Sequence, residues 1–205
     1  MLAIVDYDAG NLRSVQRACL RVGLDATISA DPEVVVKAEK VIFPGVGSAV
    51  SAVDTLQSRG LDQALLECFQ SGKPILGICL GLQIALEYTQ EGNKQCLGIV
   101  AGACERFSFT DRTLKVPHIG WNELEIVRDH PMLKSVQSGD EFYFVHSYFA
   151  CPESPDHIFG QTTYGDTTFT SVLGRDNFFA TQFHLEKSGE TGLRLLSGFA
   201  EWQGD

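Results

Sequence analysis

The sequence predicts an α/β fold, with a mixed, mainly parallel central sheet flanked by helices and an antiparallel-rich C-terminal half. Three observations carry this. Short apolar runs alternate with helix-spaced stretches over residues 1–88, the pattern of strands joined by crossover helices. Past residue 100 the apolar stretches become rich in β-branched and aromatic residues, which favours strands and hairpins. No repeat or low-complexity linker interrupts the 205 residues, so one domain spanning 1–205 is expected.

The elements follow in order. LAIVDY (2–7) is a strand ending in polar residues, and NLRSVQRACLRVG (11–23) is a helix that stops at Gly23. DATISA (25–30) is a second strand. Asp31 and Pro32 supply an N-cap and a first-turn proline for the helix EVVVKAE (33–39). KVIFPG (40–45) is a third strand, followed by helices around 51–58 and 61–70. KPILGIC (73–79) is a fourth strand that enters a helix, LGLQIALEY (80–88). The segments 114–124, 141–150, 158–165 and 169–184 read as strands and hairpins, and 191–203 as a closing helix.

Composition narrows the function. The formal charge is −10, which disfavours nucleic acid or an anionic membrane as partner. No apolar run approaches the roughly 20 residues of a membrane helix. The six cysteines show no CxxC spacing; a reducing, cytoplasmic setting with free thiols is expected. No cofactor is called for, and no metal, because His184 and Glu186 lack a third clustered ligand.

Chemistry concentrates at Gly77-Ile78-Cys79-Leu80-Gly81. A nucleophile on a sharp strand-to-helix turn needs glycines where side chains would crowd it, and Gly-x-Cys-x-Gly is the cysteine form of that elbow; on this stretch by itself a packed cysteine is an equal alternative. The helix start favours thiolate, and the Leu80 N–H faces any oxyanion formed on a bound carbonyl. A nucleophilic cysteine needs a base and an orienter for the base. His184 and Glu186, two apart, share a face if the segment stays extended; taken alone, the pair also reads as a surface His and Glu at a strand end. Pro44-Gly45-Val46-Gly47 follows a strand and offers backbone N–H groups for the second half of an oxyanion hole; Val50 breaks a dinucleotide fingerprint there. The other cysteines lack the glycine frame and read as packing residues.

Together, DYDAGNLRSV, PGVGS, GICLGLQ, VPHIGWNEL, YFVHSYF and FHLEKS resemble the class I, triad-type glutamine amidotransferases, in order and across nearly the whole chain. The resemblance implies their flavodoxin-like fold and a glutaminase with the triad Cys79, His184 and Glu186. It implies oxyanion donors at Leu80 and at Val46 and Gly47, the second becoming available only with partner and substrate bound. Gln83 and His146-Ser147-Tyr148 would bind glutamine. Asn11, Ile119, Trp121 and Tyr143 would face a separate (β/α)8-barrel cyclase, joined as a heterodimer. Ammonia would pass to that cyclase, which makes imidazole glycerol phosphate and aminoimidazole carboxamide ribotide in histidine biosynthesis. Service to another ammonia-using synthase is the alternative, and PGVGS and VPHIGWNEL speak against it. Three positions depart from the family pattern: Leu185 replaces a proline, Leu82 a methionine, and DYDAGN the more usual DYGMGN. Losing the proline leaves the His–Glu geometry less constrained.

Overall fold

The computed structural model describes residues 1–204. In chain order its strands and helices are β1 (Leu2–Val5), α1 (Leu12–Arg21), β2 (Ala26–Ser29), α2 (Pro32–Lys37), β3 (Lys40–Gly45), α3 (Ala49–Arg59), α4 (Leu61–Gln70), β4 (Ile75–Cys79), α5 (Leu80–Ile84), β5 (Leu86–Thr89), β6 (Lys94–Gln95), β7 (Val100–Arg106), β8 (His118–Glu123), β9 (Glu125–Ile126), β10 (Glu141–His146), β11 (Tyr148–Pro152), β12 (Ile158–Tyr164), β13 (Thr167–Arg175), β14 (Phe178–Thr181) and α6 (Gly189–Glu201). The main sheet runs β2-β1-β3-β4-β14-β13-β11-β7-β5-β6, with β12 and β9 attached beside β13. Strands β2, β1, β3, β4 and β14 are mutually parallel. From β14 through β13 and β11 to β7 the pairing is antiparallel. Strands β8 and β10 form a separate antiparallel pair.

Alternation along the parallel strands builds two cores. Ala3 and Val5 pack with α2, α3 and α4 through Val35, Leu56 and Leu65. Leu2 and Ile4 pack on the opposite face with α1 and α6 through Val15, Leu195 and Phe199. The expected class is therefore found, including helices on both faces. One expectation fails. The helix over 80–88 ends at Ile84, and Leu86–Thr89 is a strand. Leu86, Tyr88 and Thr89 pair with β7, and sheet pairing overrides the helical spacing there. The last helix starts at Gly189, two residues earlier than expected.

Two registers position the site. Gly45 lies opposite Cys79 at the carboxyl ends of β3 and β4. Thr181 lies opposite Ile78, so the chain leaving β14 reaches the same place three residues later. Ligands of such sheets sit beyond the carboxyl ends of the strands.

Candidate active site

Cys79 has φ 54° and ψ −100°, a strained backbone of the kind expected of a nucleophile elbow. The two glycines are sterically required. A Cβ on Gly81 would lie 1.9 Å from the Phe43 carbonyl oxygen, and one on Gly77 would lie 2.8 Å from Ala180 Cβ. The turn thus presses against β3 and β14 with no room for side chains. Cys79 is the last residue of β4 and lines a cavity of about 280 Å³ with Val46, Gly47, Leu80, Gln83 and Glu91. Pro117, Val145, His146, Ser147 and Tyr148 close it.

His184 and Glu186 meet, but not by an extended strand. His184 keeps extended dihedrals, and Leu185–Lys187 turn as a short 3-10 segment. That turn brings His184 Nδ1 to 2.9 Å from Glu186 Oε1, with both side chains buried. At Leu185, where the proline of the family pattern is replaced, other contacts brace the segment. Leu185 is buried in the core against α6, and Ser188 Oγ donates to the His184 carbonyl at 2.6 Å, so packing holds what a proline ring would have fixed. His184 Nε2 has no conventional hydrogen-bond partner among the described residues and is left for Cys79. Burial would lower the His184 pKa. The negative charge and accepting capacity of the Cys79 thiolate, then Glu186, outweigh this and raise it to about 10.

Asn11, expected at a partner surface, has a second place. Its left-handed backbone (φ 60°) starts α1, and its Nδ2 donates to Glu186 Oε1, the oxygen that also faces His184. Ile119 and Trp121 are exposed at 60% and 53%. Trp121 meets Tyr143 edge-on, with ring centroids 6.0 Å apart. The Tyr143 carbonyl accepts the His184 backbone N–H at 3.0 Å, so this aromatic surface is one hydrogen bond from His184.

The expected oxyanion donors stand differently. Leu80 follows the elbow at the cavity wall. The Val46 N–H instead donates to the Ala9 carbonyl at 2.9 Å, turned away from Cys79, while Gly47 takes φ 99°, a freedom glycine supplies.

The expected glutamine residues Gln83, His146, Ser147 and Tyr148 line the cavity, and two of them also bond within its wall. Gln83 Nε2 donates to the Tyr148 carbonyl at 2.9 Å and to Gln182 Oε1 at 3.2 Å, and Gln182 Nε2 reaches Cys79 Sγ at 3.6 Å. Gln83 therefore braces the wall. His146 Nδ1 lies 2.9 Å from the Tyr148 carbonyl, and its Nε2 lies 3.0 Å from His118 Nδ1. Both ring nitrogens are committed, so His146 shapes the Ser147–Tyr148 turn. Burial lowers the His146 pKa to about 3 and that of His118 to about 4, and both rings are neutral near pH 7.

Sequence reasoning missed three residues. Glu91 carries the one carboxylate among the side chains lining the cavity, and its Oε2 accepts the Ala49 N–H at 2.8 Å. It follows β5 in a short turn, and nothing in its sequence neighbourhood marks it. Gln182 was visible as a lone amide in the apolar run before His184. Tyr7 is fully buried beside Phe43. No three-residue His/Cys/Asp/Glu cluster suited to a metal occurs among the described residues.

A family model described as glutamine amidotransferase class-I matches residues 3–201. A protein of Maridesulfovibrio salexigens named imidazole glycerol phosphate synthase subunit HisH is 46% identical over 98% of this chain and 97% of its own. One of the same name from Desulfovibrio desulfuricans is 48% identical over 98% and 94%. A solved structure titled glutamine amidotransferase superposes with a TM-score of 0.76 at 18% identity, over 99% of each chain. At that identity it speaks for the fold alone.

Proposed function

The chain belongs to the class-I glutamine amidotransferases, and from that premise we propose how its residues hydrolyse glutamine and pass on the ammonia as the glutaminase subunit of imidazole glycerol phosphate synthase. The observation that carries the site assignment is the meeting of a strained, glycine-framed Cys79 with the buried His184–Glu186 pair across one strand register.

Glutamine enters the cavity with its α-ammonium toward the Glu91 carboxylate and its α-carboxylate toward the Ser147–Tyr148 turn. The Cys79 thiolate attacks the side-chain amide carbon. The carbonyl oxygen becomes an oxyanion held by the Leu80 N–H and, once turned, by the Val46 N–H; losing one such donor typically costs about 100-fold to 1000-fold in rate. His184, protonated through the assay range, gives its proton to the departing ammonia, leaving a γ-glutamyl thioester on Cys79. The neutral imidazole then takes a proton from water, which attacks the thioester and releases glutamate. Glu186, held by Asn11, orients His184 and stabilises its charged form.

A separate (β/α)8-barrel cyclase is the acceptor we propose, docking over Ile119, Trp121 and Tyr143. Ammonia in bulk water near neutral pH is mostly protonated and lost as a nucleophile, so a docked acceptor is the chemically economical arrangement. The resting Val46–Ala9 hydrogen bond supports a glutaminase held off until that partner is engaged. The test is glutamate release by the purified chain, alone and with the barrel cyclase plus its ribotide ligand. Low activity alone and strong activation by the liganded cyclase is the expected result. Vigorous activity alone, indifferent to the cyclase, would overturn the gate and the partner. Cys79→Ala abolishes glutamate release; substantial residual hydrolysis would remove Cys79 from its role.

A further inference from the structure

The Tyr7 hydroxyl is a buried polar group that the reaction above leaves unused. The residue is 1% exposed, and its ring packs against Phe43 with centroids 5.3 Å apart. Its Oη has no hydrogen-bond partner among the described residues. An unpaired buried hydroxyl is unfavourable, and phenylalanine would fill the same ring space without that cost. Its position is specific. A Cβ on Gly45 would lie 1.9 Å from Tyr7 Oη and 3.0 Å from Leu80 Cβ. Oη therefore touches the Gly45 backbone and stands between the two segments that carry the oxyanion donors, and glycine at 45 is what admits it. Burial, and then the charge of nearby Cys79, push the Tyr7 pKa well above its usual value of 10, so Oη keeps its proton as a donor.

The Gly45–Val46 peptide is the unit that has to turn, since its N–H rests on the Ala9 carbonyl at 2.9 Å. The N–H and C=O of one planar peptide point in opposite directions. Swinging the N–H into the cavity therefore displaces the Gly45 carbonyl, and a displaced buried carbonyl needs a donor. We propose that the Tyr7 hydroxyl is that donor: a positioning residue, idle at rest, that receives the Gly45 carbonyl when the peptide turns and thereby holds the Val46 N–H on the oxyanion. The inference rests on the reading of Cys79 as nucleophile and of Val46 as the gated donor.

Tyr7→Phe tests it, in the complex with the barrel cyclase and its ligand. The probe is L-glutamate γ-semialdehyde, with its affinity referred to the open aldehyde rather than to the cyclic imine that it forms by losing water to its own α-amine. Cys79 Sγ bonds to the aldehyde carbon, the carbonyl π pair moves to oxygen, and the thiol proton stays on His184; nothing leaves, so the adduct reports the formed oxyanion hole. Tyr7→Phe is expected to bind the aldehyde about 5- to 10-fold more weakly than the unmodified chain, to keep its affinity for glutamine within about twofold, and to melt no lower. Equal aldehyde binding overturns the proposal, as does an equal loss for aldehyde and glutamine. A lowered melting temperature would show a bond already made at rest and overturns it too. An aldehyde affinity in the unmodified chain that the liganded cyclase leaves unchanged would instead sink the gated-donor reading beneath it.

Discussion

Asn11 and His184 show how single side chains set the chemistry. Asn11 Nδ2 and His184 Nδ1 share one Glu186 oxygen, so Asn11→Ala frees the carboxylate to rotate away from the imidazole. The expected result is a fall in kcat of about 10-fold with little change in KM, as befits a lost orienting contact. A loss confined to KM would place Asn11 at the substrate instead. His184, raised to about 10 by Cys79 and Glu186 against burial, stays protonated well past its ordinary range. The basic limb of the kcat/KM profile, which reports the free chain with Cys79 and His184 side by side, is therefore expected near pH 10; a limb near 6.5 would refute the ion pair. Much of this was legible in sequence, because Gly-x-Cys-x-Gly and a His two residues from a Glu are local patterns. Glu91 and Tyr7 were not legible: their duties arise from chain segments far apart in sequence, which no spacing records.

The elbow is where the elements meet. Gly81 lets α5 approach β3 until a Cβ would overlap the Phe43 carbonyl oxygen. That obstacle is backbone in a central strand and cannot swing aside. Gly81→Ala is expected to destabilise by about 3 kcal/mol or more, at the high end of overpacking costs, and urea unfolding measures it. A midpoint within error of the parent would show the elbow to be looser than its packing. The helix after the elbow was overestimated from sequence because Leu86 and Tyr88 fit both a helix stripe and a strand; long-range pairing with β7 decided it. By contrast, β1 through β4 and their crossover helices were readable, since each carries its own period and boundary residues.

Across the whole molecule, the buried His118 and His146 and the half-buried His130 set the acid limit. Burial holds His118 and His130 at about 4 and His146 at about 3, below the unfolded value of about 6.5. The unfolded chain binds these protons first, so their neutral burial is harmless above pH 6.5 and costs stability as pH falls toward 4. The melting temperature is expected to drop by several degrees between pH 7 and pH 5; a flat profile would mean the rings accept protons while folded. The exposed Trp121, beside Tyr143, is the aromatic anchor expected at the cyclase interface. Trp121→Ala should weaken the complex by roughly 10-fold or more at unchanged melting temperature, read by titration calorimetry. Among the described residues no helix is long and apolar enough to cross a membrane.

The parallel pairing of Thr181 with Ile78 has a consequence in time as well as space. The proposed nucleophile, Cys79, ends a strand laid down early in synthesis, whereas its proposed base, His184, follows a late strand that must insert between β4 and β13. A nascent or C-terminally clipped chain therefore carries the thiol without its proton partner. On the proposed roles, competence for hydrolysis is tied to closure of the sheet, and a half-made chain is expected to spend no glutamine.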